Sequence, residues 1–230
     1  MGENRQMTPY QENENLKAPT LQEYKKGGNE TVASVQQYKV GDIIKLGSYV
    51  QDYGWKDPIE WQVLDIHDGK ALVISKYGID YKPYDTRYTD VTWETCTLRK
   101  WLNDIFMHFA FSKSERARIL SVRVPADKNP KYSTNPGNAT QDQIFLLSIS
   151  EAQKYFGDSP ARKCKPTAFA KSNGAWSSSE GNCCWWLRSP GRSQNNAAYV
   201  NDDGDLFEFG NLVYRAYFPV RPALWIDLNT

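Results

Sequence analysis

Four cysteines, two histidines and a supply of carboxylates are the side chains of this sequence that could do covalent or metal chemistry. The thiols are Cys96, Cys164 and the adjacent pair Cys183-Cys184, and none stands in the C-x-x-C spacing that presents two sulfurs to one zinc ion. Neighbours in a strand point to opposite faces, so Cys183 and Cys184 cannot share a partner. We expect one buried free thiol and one exposed or half-buried thiol, with a pairing to Cys164 left open in an oxidising compartment. His67 and His108 are far apart in sequence and cluster neither into a metal site nor into a Ser-His-Asp arrangement; His108, on or just beyond an apolar helix, reads as a packing or surface residue. Asn201-Asp-Asp-Gly-Asp205 begins like a calcium loop but lacks the bidentate Glu at its twelfth position, and Asp203-Gly204 is also what a two-residue hairpin turn demands. Carboxylates for glycoside hydrolysis are plentiful, yet no pair stands out. The expectation is no catalytic residue, no metal and no cofactor.

A different pattern occupies the last quarter of the chain. Trp185, Trp186, Leu187, Val220, Leu224 and Trp225 are large and apolar, and an Arg sits near a Pro at each end, Arg188 before Pro190 and Arg221 before Pro222. These ends read as framework, with both guanidiniums bonding loop carbonyls rather than clamping a ligand carboxylate. Between them lie short strands rich in Asn, Tyr, Asp and Arg, a composition suited to recognition: Tyr loses little rotamer entropy on contact, and Asn hydrogen-bonds adaptably. Alternation places Ala198, Val200, Phe207, Phe209, Ala216 and Phe218 inward, and Tyr199, Asn201, Glu208, Arg215 and Tyr217 outward.

The elements that must position this segment follow from composition and periodicity. A chain of 230 residues holds one domain, or one domain with an arm, and needs no metal or disulfide to support its core. Its formal net charge of +1 lacks the basic excess of a nucleic-acid binder. Eight Trp and fourteen Tyr against a mean hydropathy of -0.66 concentrate the apolar area in a few large rings, as in β-rich recognition domains. No apolar run is long enough to span a bilayer, and Met1-Gly-Glu-Asn-Arg-Gln lacks the apolar region of a signal peptide, so no membrane insertion is expected and the compartment stays open.

Residues 1–38 are polar and read as an arm or linker, with a weak helical stretch at Thr20–Lys26. The domain, 39–230, opens with a β-meander through Val40–Tyr49, Ile59–Ile66 and Ala71–Ser75, the last two flanking an Asp68-Gly69 turn. Thr92–Phe106 reads as an amphipathic helix with Leu98, Trp101, Leu102, Ile105 and Phe106 on one face. Capping boxes at Ser112/Glu115 and Ser148/Glu151 open two further helices. Ala126–Asp142 is long for a connection and is therefore functional or mobile. Ile144–Ser148 is a buried strand, Thr167–Lys171 adds a helical turn, and the final strands run through Trp185–Arg188, Ala197–Asn201, Leu206–Phe209, Val213–Phe218 and Ala223–Ile226. Strands, helices, a long loop and strands again make an α+β order.

Several of these blocks together resemble a known bacterial family, a domain of unknown function. They are Gly41–Tyr49, Pro58–Asp65, Ser75-Lys-Tyr77, Trp93 with Leu98–Asn103, Phe145–Ser148, and above all Trp185-Trp-Leu-Arg-Ser-Pro-Gly191 with Val220-Arg-Pro-Ala-Leu224, a match from about residue 38 to the C-terminus. The family implies no activity. The chain is also similar, more weakly, to C-type lectin-like domains of the formylglycine-generating-enzyme type, in which a Trp-rich segment and an Arg-containing terminal strand bracket a recognition surface. That group includes the variable proteins of diversity-generating retroelements, whose exposed C-terminal positions change through adenine-templated mutation. Asn195, Asn196, Tyr199, Asn201, Asp202, Asp203, Asn211 and Tyr214 all have adenine-containing codons, although Asn and Asp favour loops in any case. The departure from the oxidase pattern is plain, since adjacent cysteines do not match its separated ones.

The reading is thus an α+β, C-type lectin-like mixed fold, β-rich with two or three short helices and long loops. Its expected role is non-enzymatic recognition of a protein or glycan ligand through Trp186, Gln194, Asn195, Asn196, Tyr199, Asn201, Asp203, Glu208, Asn211, Tyr214, Arg215 and Tyr217, with no nucleic acid as partner. Two other classes compete: a hydrolase or oxidase with a lid at Ala126–Asp142, and an assembly protein that oligomerises through its arm.

Overall fold

The computed structural model describes residues 38–52 and 54–229. The polar arm and its helical stretch at Thr20–Lys26 lie outside the described residues. Strands β1 (Ile43–Val50), β2 (Lys56–His67) and β3 (Lys70–Ser75) form the expected antiparallel meander, with Asp68 and Gly69 both at positive φ in the turn. The C-terminal strand β12 (Ala223–Asp227) lies between β3 and the short β7 (Ile144–Phe145), completing the order β1-β2-β3-β12-β7. A second sheet has the order β10-β9-β8, from β8 (Trp185–Pro190), β9 (Asn196–Val200) and β10 (Leu206–Leu212). Two small pairs join β11 (Pro219–Val220) to β4 (Asp80–Tyr81) and β5 (Val122–Val124) to β6 (Thr140–Asp142). The architecture is β-rich α+β.

Helices are more numerous and shorter than the sequence suggested. Among the described residues they are α1 (Thr97–Trp101), a π turn (Leu102–Phe106), α2 (Met107–Ala110), α3 (Lys113–Arg118), α4 (Ile149–Tyr155), α5 (Ser159–Arg162) and α6 (Ala168–Ser172). None is long and apolar enough to cross a membrane. The first of them starts at Thr97, not Thr92, because the Cys96 sulfur accepts from the Arg99 N–H and caps it there. The π turn explains the second departure. A turn closed by i→i+5 bonds takes more residues than an α turn, so the i,i+4 partners Leu98, Leu102 and Phe106 stay buried while Ile105 is turned out to solvent. Both capping boxes form as read, at Ser112/Glu115 and Ser148/Glu151.

One core unites these layers, with Trp61, Trp93, Trp185 and Trp186 buried and Trp225 packed half-buried against it. Each buried indole N–H has a partner: Leu46 O for Trp61, the Asp142 carboxylate for Trp93, Arg162 O for Trp185 and Lys82 O for Trp186. Such rings therefore contribute their full apolar area without stranding a donor. All four cysteines are buried and free, so the half-exposed thiol expected of the Cys183-Cys184 pair is not there. The two do face apart, Cys183 donating to Cys164 O and Cys184 to the Asn201 amide oxygen.

Two corrections concern the C-terminal quarter. Residues 213–218 form a turn and an extended stretch rather than a strand. The β9–β10 connection spans Asn201–Asp205, so Leu206 lies opposite Val200 and Phe207 opposite Tyr199. A two-residue Asp203-Gly204 turn would have set Phe207 opposite Val200, and a slip of one residue moves every side chain of the strand to the other face. Phe207 and Phe209 accordingly point outward, and Glu208 is turned in.

The turn is held tightly against α5. Gly204 has φ +89°, its carbonyl accepts from Arg162 Nε at 2.8 Å, and a Cβ there would sit 1.8 Å from the Ser159 carbonyl oxygen. Gly204→Ala is expected to lower stability by about 3 kcal/mol, from left-handed strain plus the clash. Trp186→Ala should cost about 3–5 kcal/mol through its core cavity. Urea unfolding midpoints at unchanged slope would show both losses.

Candidate functional site

The outward face of the β8–β9–β10 sheet is built from the inside. β8 is buried along its whole length, so Arg188 enters the core as a buried cation and needs partners for its five donors. It forms a fork with both oxygens of Glu151, binds Asp127 Oδ2 at 3.0 Å, and donates to Leu146 O at 2.9 Å and Pro125 O at 3.3 Å. Arg221 is buried likewise, lying over the Trp185 and Phe156 rings and donating to Ser75 O and Arg162 O. Both arginines are structural, as their setting beside Trp and Pro implied.

The Asp127 contact begins a strap. From it the chain runs over the sheet, and Asn129 donates from one amide to Pro190 O and Glu208 O, both at 2.7 Å. Lys131 pairs with Glu208 at 3.1 Å, Thr134 donates to Gly191 O, and Gln194 ties Asn135 O to Val91 O. The long loop is thus tied along the rim of the sheet.

On this base stands a ladder of rings. Trp186 packs on Phe218 (centroids 4.6 Å apart), Phe218 on Tyr199 (4.6 Å), Tyr199 on Phe207 (5.0 Å), and Phe207 meets Phe209 (6.1 Å). The ladder climbs from a fully buried indole to Phe207, 43 % exposed, and Phe209, 37 % exposed. Tyr132 of the strap touches Phe209 by its edge, and the Arg192 guanidinium lies over the same ring at 3.8 Å. Nearby, exposed Tyr214 meets exposed Tyr88, and exposed Arg215 lies 5.8 Å from the ring of exposed Tyr217. Burial first, with the neighbouring Cys184 and acidic Asp202 and Asp203 adding to it, pushes the Tyr199 phenol up to about 12, so it remains a neutral donor at physiological pH.

The residues singled out in the sequence divide accordingly. Tyr199, Tyr214, Arg215 and Tyr217 present side chains to solvent beside the ladder. Asn195, Asn201 and Asn211 are partly accessible and Asp203 is exposed, but each also accepts a hydrogen bond from within the domain, from Ser193 (Asn195), Cys184 (Asn201), the Asp205 N–H (Asp203) and the Leu212 N–H (Asn211). Gln194 and Glu208 belong to the strap's anchorage. Trp186 and Asn196 are buried, Asn196 accepting from the Ser193 hydroxyl, and offer a partner no surface. Missed were Phe207, Phe209, Arg192 and Tyr132. Phe207 was within reach, because residues opposite one another in a hairpin share a face and Tyr199 is outward.

Burial raises the Cys96 and Cys184 thiols to about 12. Among the described residues no group of three or more His, Cys, Asp or Glu converges on one point. In the Asn201–Asp205 turn, the Asp205 carboxylate accepts from Ser159 at 2.5 Å and Asp203 from the Asp205 N–H.

A family model described as Domain of unknown function (DUF6273) matches residues 68–228. The chain belongs to this family. No curated protein and no solved structure matches it. The match opens at the β2–β3 turn, later than the resemblance near residue 38, and leaves β1 and β2 outside it. Within it fall β8 with its arginine, the strap, the ring ladder and Arg221, so the DUF6273 span contains every part of the candidate surface.

For this DUF6273 domain, Arg188→Ala is expected to destabilise by about 3 kcal/mol, since it leaves Glu151 and Asp127 without their cation. Arg188→Lys should recover less than half of that, an ammonium having no fork to match Glu151. Hydrogen exchange would show the strap, 126–135, losing protection in both variants before the five-stranded sheet does.

Proposed function

We propose that the domain is a non-enzymatic recognition module whose contact surface is the outward ring ladder of β9–β10. The observation that carries this reading is the exposure of Phe207 and Phe209 on a rigid base, beside Tyr199, Tyr132 and Arg192. Rings already fixed by buried neighbours lose little freedom on binding, and Tyr and Arg are the side chains that most often dominate contact energies. A protein partner fits better than a glycan. Phe207 and Phe209 stand at 64° to one another, so they offer no coplanar platform for successive sugar rings, and neither carries a hydroxyl to bond a saccharide.

The C-type lectin-like architecture and the diversified-segment version of this function remain part of the proposal. Of the eight adenine-codon positions, burial removes Asn196; Asn195, Asn201, Asp203 and Asn211 accept internal hydrogen bonds; and Tyr199 is a half-buried rung of the ladder. Asp202 and Tyr214 are then the positions where exchange would alter contacts at least structural cost. A neighbouring reverse-transcriptase gene with an imperfect repeat of this coding segment would support that version, and a locus without either would remove it.

Screening the domain against a displayed peptide library and a glycan array tests the recognition reading. Wild-type protein should select peptides or protein fragments, and Phe207→Ser/Phe209→Ser should weaken those ligands by about 30-fold, equivalent to about 2 kcal/mol, with each change shifting stability by about half a kcal/mol. Selected ligands that bind the double variant undiminished, or capture of saccharides alone, would overturn it.

A further inference from the structure

The fold brings together two cysteines that are nineteen positions apart. Cys164 lies between α5 and α6, and Cys183 lies just before β8. The Cys183 N–H donates to Cys164 O at 2.8 Å, and the Cys183 sulfur lies 3.3 Å from the same oxygen. Each thiol shifts the other's proton affinity, Cys164 downward and Cys183 upward. The backbone bond and the sulfur contact to one carbonyl set the two residues side by side, the placement from which a disulfide closes by rotation about side-chain torsions.

The surroundings hold both partners in place. The Cys164 segment is tied to Gly78, whose N–H donates to Lys165 O at 3.0 Å and whose carbonyl accepts from the Thr167 N–H at 2.9 Å. Gly78 is hemmed in by Pro219, whose Cβ would lie 2.5 Å from a Cβ added there, and the Cys183 sulfur lies 3.7 Å from the same point.

We propose that Cys164 and Cys183 form a peroxide-responsive dithiol that closes to a disulfide, stapling the α5–α6 connection to the start of β8. The site is separate from the ring ladder and stands whether or not that surface binds a protein. Cys164 is the attacking sulfur. Burial alone would raise its thiol, but the neighbouring Cys183 thiol, the Arg221 charge and the Gly78 N–H together bring it below the ordinary cysteine value. Cys183 is held protonated, its thiol raised by the neighbouring Cys164 and by burial. In the first step the Cys164 thiolate attacks one oxygen of hydrogen peroxide, breaking the O–O bond; the departing hydroxide takes up the proton the thiol had lost and leaves as water. The Cys164 sulfenic acid is then attacked by the Cys183 sulfur, whose proton leaves with the displaced hydroxide as a second water. Two thiols are oxidised and one peroxide is reduced, with no other reactant needed. Both residues are buried, Cys164 3 % and Cys183 0 % exposed, so peroxide reaches the sulfurs through local opening of the segment between exposed Lys163 and Lys165.

The test uses the full chain, purified reduced, exposed in native buffer to a few-fold excess of hydrogen peroxide, alkylated in denaturant and digested without reduction. The Cys164 and Cys183 peptides should appear joined and lighter by two hydrogens in most of the protein, with Cys96 and Cys184 recovered as alkylated thiols. Dithiothreitol should reverse the link, and the oxidised form should melt higher by roughly 5 °C. In Cys183→Ser a sulfenic-acid probe should label Cys164, whereas Cys164→Ser should leave Cys183 unlabelled. A link to Cys96, Cys184 or a second chain, oxidation of Cys164 beyond sulfenic acid without a link, or recovery of four free thiols would overturn the proposal. Wild-type mapping decides these outcomes even where a variant fails to fold, and a probe found on Cys183 alone would reverse the assignment of the attacking sulfur.

Discussion

A guanidinium in the middle of a fully buried strand constrains everything around it. Arg188 cannot be left without partners, because an uncompensated buried charge costs several kcal/mol, and no single element supplies enough acceptors. Its partners come from α4 through Glu151, from the start of the strap through Asp127 and Pro125, and from the residue after β7 through Leu146. Satisfying one cation therefore fixes the mutual position of helix, strap and strand. Glu151 also accepts the Ser148 N–H in the α4 capping box, so the same carboxylate sets the start of the helix and the charge balance of the core.

The candidate surface inherits its geometry from that arrangement. Anchored at Asp127, the strap reaches β10 through Asn129 and Lys131, and these contacts turn Glu208 inward beneath it. With Glu208 committed to the strap, the phenylalanines on either side of it are left on the open face. The ring ladder is thus continuous with the core at Trp186 and with solvent at Phe209. A partner engaging it would meet groups whose rotamers are already restricted, the condition under which exposed aromatic area converts most fully into affinity.

Much of the scaffold was legible in the residues because it follows from local rules. Two capping boxes, the Asp68-Gly69 turn, the meander and the structural use of Arg188 and Arg221 all depend on a few neighbouring side chains, and all stand as read. What failed depended on counting. Ile105 left the core because a π turn changes the residues per turn, and Phe207 changed face because the β9–β10 turn spans Asn201–Asp205 rather than two residues. The strap was recognised only as an unusually long connection. Its meaning rests on carbonyls of Pro190, Gly191 and Glu208, more than fifty positions away, which no local pattern reports.

The same distinction limits how much of an Asn-rich surface is free to vary. A turn held by backbone bonds alone tolerates side-chain exchange, and here the Val213 N–H donates to Asn195 O and the Gly204 N–H to Asn201 O. Yet the side chains of Asn195, Asn201, Asp203 and Asn211 each accept a hydrogen bond from within the domain. Losing one of these costs the fold a hydrogen bond, whereas changing Tyr214, Arg215 or Tyr217 removes only partly solvated contacts. Composition marks both groups alike, as polar residues between apolar blocks. Hydrogen bonding separates them: acceptors committed to donors of the domain itself hold the surface in shape, and the rings turned away from it are what the surface offers.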